Sequence, residues 1–223
     1  MSTIAIVGAG RGLGAAVARK FGAEGFSVGL ISRNQSRLDA LAADLTADGV
    51  QAAGFAADVR DPASLSTALE RVTETLGPIE VLQYSPLPQK DFMRPVMETR
   101  PEDMRGPVEF SIYGPMAALH QVVPGMRFLP DGGSILFING GSAVKPGAAV
   151  TGTSIAFAGQ AAYAQLLHDE LGEQGIHVAQ LIIPGSIEEG HAKKDPAVLA
   201  ETIYGMHTGR KDFRVFADDI ATE

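Results

Sequence analysis

Ile4 to Val7 is a short apolar run that leads directly into Gly8-Ala9-Gly10-Arg11-Gly12-Leu13-Gly14. Leu13, Val17 and Phe21 then recur at intervals of four, the spacing of one helical stripe. A buried strand that turns at once into a helix packed back upon it points to a βαβ unit, in which the next strand returns parallel to the first. Glycine suits each role in such a turn. Gly8 permits the tight reversal, Gly12 lets a ligand approach the backbone, and Gly14 lets helix and sheet pack closely. The helix start offers free N–H groups and a partial positive charge, so the loop suits an anion such as a pyrophosphate.

The rest of the chain repeats this alternation. Ser27 to Ser32, Gln51 to Ala56, Ile79 to Leu82, Ser134 to Ile138, Ile176 to Ile183 and Phe213 to Phe216 read as further strands. Leu38, Leu41 and Leu45 mark one intervening helix. Asp61 caps the next, with Pro62 in its first turn, the buried stripe Leu65, Leu69, Val72 and Leu76, and Gly77-Pro78 at its end. Gln83 to Pro107, rich in Pro and Met, reads as irregular at its start. Helices are expected over Glu109 to Val123, over Thr153 to Leu171 and from Pro196. The pattern predicts an α/β fold of the Rossmann type, a doubly wound, seven-stranded parallel sheet with helices on both faces. No repeat or linker divides the 223 residues, so one dinucleotide-binding domain over 1–223 is expected.

Composition narrows the partners. The formal charge of −8 repels nucleic acid and anionic membrane surfaces on average. Cysteine is absent, which excludes disulfides and thiolate chemistry. The start MSTIAIVGAG has no basic segment ahead of a long apolar run, and no apolar stretch is long enough to span a bilayer. A cytoplasmic protein is expected. The five histidines show no metal-ligand spacing and are expected at the surface or at strand ends.

Several further motifs follow in order: Ala57-Asp58-Val59, Gly77-Pro78-Ile79-Glu80-Val81-Leu82, Gly133-Ser134-Ile135-Leu136, Glu170-Leu171, Gly175-Ile176-His177-Val178 and Pro184-Gly185-Ser186-Ile187. With the Gly-x-x-x-Gly-x-Gly spacing, they resemble the short-chain dehydrogenase/reductase family over nearly the whole chain. The resemblance implies a nicotinamide dinucleotide held by Gly8, Gly10, Arg11, Gly12, Leu13, Gly14, Ser32, Arg33, Asp58, Val59, Ser85, Pro184, Gly185 and Ile187. It implies that the Asp58 carboxylate meets the adenine amino group. An NAD site places an acid after the second strand to bind the ribose 2′-hydroxyl; here that strand ends in Ser32-Arg33-Asn34. Arg33 suits a 2′-phosphate, and Arg11 matches a second basic position of NADP-preferring members, so NADP(H) is the expected cofactor.

The family's proton-transfer pair is missing. Counting back from Glu170-Leu171, its Tyr falls at Thr153 and its Lys at Phe157. Neither replacement titrates near neutrality. The family's Asn-Asn-Ala-Gly reads Tyr84-Ser85-Pro86-Leu87, its helix Asn falls at Ser111, its Ser at Gly140 and the Thr of its Pro-Gly-x-x-x-Thr at Glu189. An acid at 189 disfavours phosphates unless it turns away. Tyr84, Ser85, Ser111, Tyr113, Asn139, Ser142, Lys145 and Thr153 are expected near the cleft, with Ser142, Tyr113 and Lys145 as catalytic candidates and Tyr84 as an alternative phenol. Between Ile187 and Asp195 there is room for a small lid only. Three readings remain: an NADP(H)-dependent oxidoreductase of carbonyls or alcohols with a degenerate site, a non-catalytic NADP(H)-binding sensor or assembly subunit, and a scaffold without cofactor. Ile155, Phe157, Ala158, Ala161, Ala162, Tyr163, Leu166 and Leu167, with Ile112, Met116 and Leu119 on the preceding helix, give more apolar surface than one stripe needs. A homodimer or homotetramer is therefore expected.

Overall fold

The computed structural model describes residues 2–220. Residue 1 and residues 221–223, the two ends of the expected domain, lie outside them. Seven strands form one parallel sheet: β1 (Thr3–Val7), β2 (Ser27–Ser32), β3 (Ala52–Ala56), β4 (Ile79–Tyr84), β5 (Ser134–Gly140), β6 (His177–Ile183) and β7 (Arg214–Phe216). Their order is β3-β2-β1-β4-β5-β6-β7, so the doubly wound sheet expected from the alternation is observed. Beyond β1 the winding reverses direction, and Val7 pairs with Ile31 on one side and Tyr84 on the other. A crevice opens at the carboxyl ends of strands where winding reverses.

Helices α1 (Leu13–Ala23), α2 (Gln35–Ala47) and α7 (Pro196–Gly209) lie with one core, built on Ile4, Ile6, Val28, Leu30 and Leu181. Helices α3 (Pro62–Leu76), α5 (Gly114–Met126) and α6 (Thr151–Leu171) lie with the other, built on Val7, Leu82, Tyr84, Phe137 and Ile182. Alternate residues of each strand feed the two cores, so the strands read as continuous apolar runs. Side-chain caps set the starts of α2, α3 and α7. Asn34 accepts from the Arg37 amide, Asp61 from the Ala63 and Ser64 amides, and Asp195 from the Ala197 amide.

Three boundaries differ from the sequence expectation. The helix expected from Glu109 begins four residues earlier as α4 (Arg105–Val108) and runs into α5 through a π-helical segment, Glu109–Tyr113. β4 and β5 each run two residues further than expected, to Tyr84 and Gly140, because the end of β4 pairs with β1 and β5 and the end of β5 pairs with β6. The stretch 85–104 is irregular apart from short 3₁₀ turns, as its composition implies.

Candidate cofactor cleft

The glycine loop sits at the point where winding reverses. Gly8 has φ +98°, and its amide donates to the Ile31 carbonyl at 2.9 Å, as does that of Ala9 at 3.0 Å. A Cβ on Gly8 would lie 2.5 Å from the Pro86 Cα, so strand β4's exit and the loop touch backbone to backbone. Around Gly12 the situation is the reverse. A Cβ there would meet nothing within 4 Å, and α1 begins at Gly12 with no side-chain cap. The helix start is thus open, with its amide dipoles available to an anion.

A cleft of about 1010 Å³ runs from this loop across the ends of β2 and β3. Gly8, Gly10, Arg11, Ser32, Arg33, Asp58 and Val59 line it, so seven of the fourteen residues anticipated for the cofactor meet in one cavity. Arg19 and Arg37 line it as well, which the sequence reading missed. Arg37 is in the first turn of α2, four residues after Arg33, and Arg19 is in α1, eight residues after Arg11. Asp58 is held in place by the Arg60 amide, which donates to its Oδ1 at 3.0 Å. Leu13 and Gly14 belong to the first turn of α1 and do not line this cleft. Ser85 stands beside it: its amide donates to the Val7 carbonyl at 2.9 Å, and its Oγ accepts from Gln83 Nε2 at 2.7 Å.

At the β5–β6 end the polar residues have been taken inside. Tyr84, expected near the cleft, is 1% exposed and donates its hydroxyl to the Phe110 carbonyl at 2.6 Å. Burial, with the Asp58 charge as the lesser cause, pushes this phenol up and out of any proton-transfer role near neutrality. Ser111, Asn139 and Thr153 are likewise buried rather than cleft-lining. Phe157 is buried in one core with Phe92 and Phe110, whose rings meet edge to face at 5.5 Å. The segment 92–96 lies across the start of α6, joined by Thr151 N to Arg94 O at 3.1 Å and Val96 N to Ala148 O at 2.9 Å.

Below Phe157 runs a chain of buried amides. Arg214 Nε donates to Gln180 Oε1 at 2.8 Å, and Gln180 Nε2 to Asn139 Oδ1 at 2.8 Å. Asn139 Nδ2 donates to Gln160 Oε1 at 2.6 Å, and Gln160 Nε2 to the Ser111 carbonyl at 2.8 Å. Four elements and the π segment are tied by this relay. Its amides do not titrate, and each uses its oxygen and one N–H on a neighbour.

The catalytic candidates do not share the cleft. Tyr113 is 53% exposed on the π segment. Ser142 is half-buried in the 3₁₀ turn Gly141–Ala143, and Lys145 is exposed beyond it, its amide donating to the Gly141 carbonyl at 2.9 Å. Pro184, Gly185 and Ile187 lie past the end of β6, outside the cleft's lining. Residues 188–195 form a compact series of turns. Glu189 is exposed and lines a groove of about 640 Å³ with Arg11 and Gly12.

At the opposite pole of the sheet, His207 corrects the expectation of a surface or strand-end role. It is 6% exposed, with Nδ1 2.9 Å from Ser134 Oγ and Nε2 3.5 Å from Glu80 Oε1. His177 begins β6 as expected and is also buried. Among the described residues no cluster could hold a metal ion, and no helix is long and apolar enough to cross a membrane.

The family model for short chain dehydrogenases matches residues 2–197. A fatty acyl-CoA reductase of Mycobacterium tuberculosis is 27% identical over 183 residues, which cover 81% of this chain and 62% of the relative. The alignment therefore spans less than two thirds of that relative's length. A short-chain dehydrogenase from Rhodopseudomonas palustris superimposes with a TM-score of 0.85 at 25% identity, covering 98% of this chain and 99% of the other. An NADPH-bound short-chain oxidoreductase of Pseudomonas aeruginosa, described as containing an atypical catalytic centre, gives a TM-score of 0.83 at 19% identity, covering 96% and 95%. At that identity the likeness is one of fold.

Proposed function

The chain belongs to the short-chain dehydrogenase family, and from that premise we propose that it binds NADP(H) and serves NADP(H)-dependent carbonyl or alcohol chemistry through a degenerate active-site end. The observation that carries the cofactor reading is the set of guanidinium groups, Arg11, Arg33 and Arg37, lining one cleft beside the open start of α1. Gly8, Gly10, Gly12, Leu13 and Gly14 present backbone to the pyrophosphate. Arg33 and Arg37 take the 2′-phosphate, which an acid at the end of β2 would repel. Asp58 and Val59 face the adenine, with Ser32 and Ser85 at the ribose edges, and Pro184, Gly185 and Ile187 border the nicotinamide side. When bound, the cofactor supplies or accepts hydride. The chain's own contribution is orientation, because Thr153 and Phe157 stand where the family keeps its proton donor and its lysine.

A second reading, a non-catalytic NADP(H)-binding sensor or assembly subunit, is favoured by one observation. The amides at the β5–β6 end bond to one another, and Phe157 is buried. One experiment separates the two. NADPH and NADH are titrated by fluorescence, and NADPH oxidation is then followed with ketones, aldehydes and quinones. NADPH is expected to bind about tenfold or more tightly than NADH; equal affinities overturn the cofactor reading. Turnover assigns the oxidoreductase role, and tight binding without turnover on any substrate favours the second.

The same reading includes a homodimer or homotetramer joined through α5 and α6. Ile155 and Leu166, 56% and 67% exposed, lie on the outer side of α6 with the exposed small residues Ala158 and Ala162, which permit close helix approach. Light scattering that gives a monomer at micromolar concentration refutes it.

A further inference from the structure

The Pro184-Gly185 loop after β6 touches the turn after β5: a Cβ on Gly141 would lie 3.5 Å from the Pro184 Cα. Lys194 reaches back to this junction. Its Nζ donates to the Pro184 carbonyl at 3.2 Å and stands 3.5 Å from where a Cβ on Gly185 would be. The backbone that returns it is tightly tied. His191 Nδ1 accepts from the Lys193 and Lys194 amides, both at 3.1 Å, and the Glu188 amide donates to the Lys194 carbonyl at 3.2 Å. The Asp195 carboxylate bridges the Gly190 amide at 2.6 Å and the Ala197 amide at 2.8 Å. This knot faces the glycine loop, since Glu189, Asp195 and Pro196 line the same groove as Arg11 and Gly12.

A dinucleotide that begins on the glycine loop and reaches the ends of β5 and β6 passes the knot. Glu189 lines that groove, and a carboxylate there opposes a diphosphate. The neighbouring Lys193 is committed to Asp218 at 2.7 Å. Lys194 has a carbonyl as its hydrogen-bond partner, which takes one of three ammonium donors and leaves two, and it acts on Asp218 only through its field. We propose that Lys194 is the cation that holds the phosphate of the nicotinamide-side half of the dinucleotide, offsetting Glu189. This inference rests on the NADP(H) reading above.

Calorimetric titration of Lys194→Met and Lys194→Arg at two ionic strengths tests it, with NADP⁺ and with 2′,5′-ADP, which carries the adenine-side phosphates alone. Lys194→Met is expected to weaken NADP⁺ about tenfold, to leave 2′,5′-ADP within about twofold, and to flatten the salt dependence of NADP⁺ binding. Lys194→Arg should restore most of the affinity. Retained 2′,5′-ADP binding also reports an intact fold. Unchanged NADP⁺ affinity, equal losses for both ligands, or an unchanged salt dependence overturns the proposal; the last would mark Lys194 as a loop staple. If the wild-type protein binds neither ligand, the NADP(H) reading itself falls.

Discussion

Around Gly12, α1 starts without a side-chain cap, and Arg11, Arg33 and Arg37 gather at one open cleft. Around Asn139 the polar groups pair internally: Asn139, Gln160 and Gln180 bond to one another, Tyr84 bonds to the Phe110 carbonyl, and Phe157 fills core. The first region keeps its hydrogen-bonding capacity for a ligand. The second spends it on the fold. Recognition and chemistry are thus separable within one sheet, because each strand end is an independent place to put side chains.

The largest expected effect of this difference is on rate. Loss of a positioned proton donor typically costs about 10² to 10⁴, or roughly 3–5 kcal/mol of barrier. Wild-type reduction of ketones by NADPH should therefore run far below about ten per second. Restoring the pair by Thr153→Tyr with Phe157→Lys should not simply recover it, since both positions are buried and an unpaired ammonium is costly there. Vigorous wild-type turnover would break the comparison and send the search for an acid to Tyr113, Ser142 and Lys145.

A somewhat smaller effect is expected on folding. Gln160→Leu strands Asn139 Nδ2 and the Ser111 carbonyl, at about 1–3 kcal/mol for each group left unsatisfied. Urea denaturation should show a loss of roughly 2–4 kcal/mol. A loss under about 0.5 kcal/mol would show that the relay carries no structural weight.

These two ends also differ in how far the sequence reveals them. The glycine loop is local: a strand, a turn and a helix follow one another, and every strand of the sheet stood out by its apolar run. The place of Arg33 at the cleft was legible because it directly follows β2. The amide relay was not legible, because Asn139, Gln160, Gln180 and Arg214 come from four elements: Asn139 reads as a cleft residue, and nothing local links it to the other three. Tyr84 was misread for a related reason. Strand β4 runs two residues further than its apolar run suggested, which carries the phenol into the core. The π segment has no composition of its own, and Lys194 shows its place only once the turns around His191 fold it back.

On the open side, Arg33→Ala should cost NADPH about 1.5–3 kcal/mol, tenfold or more in affinity, and leave NADH nearly unchanged. Stability should hardly move, because the side chain is exposed. Equal effects on the two dinucleotides would detach Arg33 from the 2′-phosphate and pass the role to Arg37 or Arg11.

The smallest effect lies at the far pole, away from both ends of the cleft, and shows whether that pole is a separate stability element. His177 is buried, and its Nε2 has no hydrogen-bond partner among the described residues. Burial first, then the positive fields of His168, Arg210 and His207, push its pKa down to about 4. The unfolded chain titrates near 6.5, so the unfolded state takes the proton first as pH falls. Stability from the neutral ring is complete above about pH 6.5, declines as pH drops towards 4, and changes no further below that. His207 is lowered by burial against the raising field of Glu80 and titrates in the same direction. Glu109, held down by Arg105 and Arg60, and Asp195, held down by the Gly190 and Ala197 amides, withdraw their stability at lower pH, where carboxylates protonate. The interval from pH 7.5 to 5 therefore isolates the histidines. Across it, the wild-type urea midpoint should fall, and His177→Val should remove part of that fall, about 1 kcal/mol. Valine suits a buried strand start, so the variant's own stability at pH 7.5 serves as its reference. An identical fall in both proteins would mean that His177 protonates as easily folded as unfolded, and the far pole would then contribute nothing to acid sensitivity.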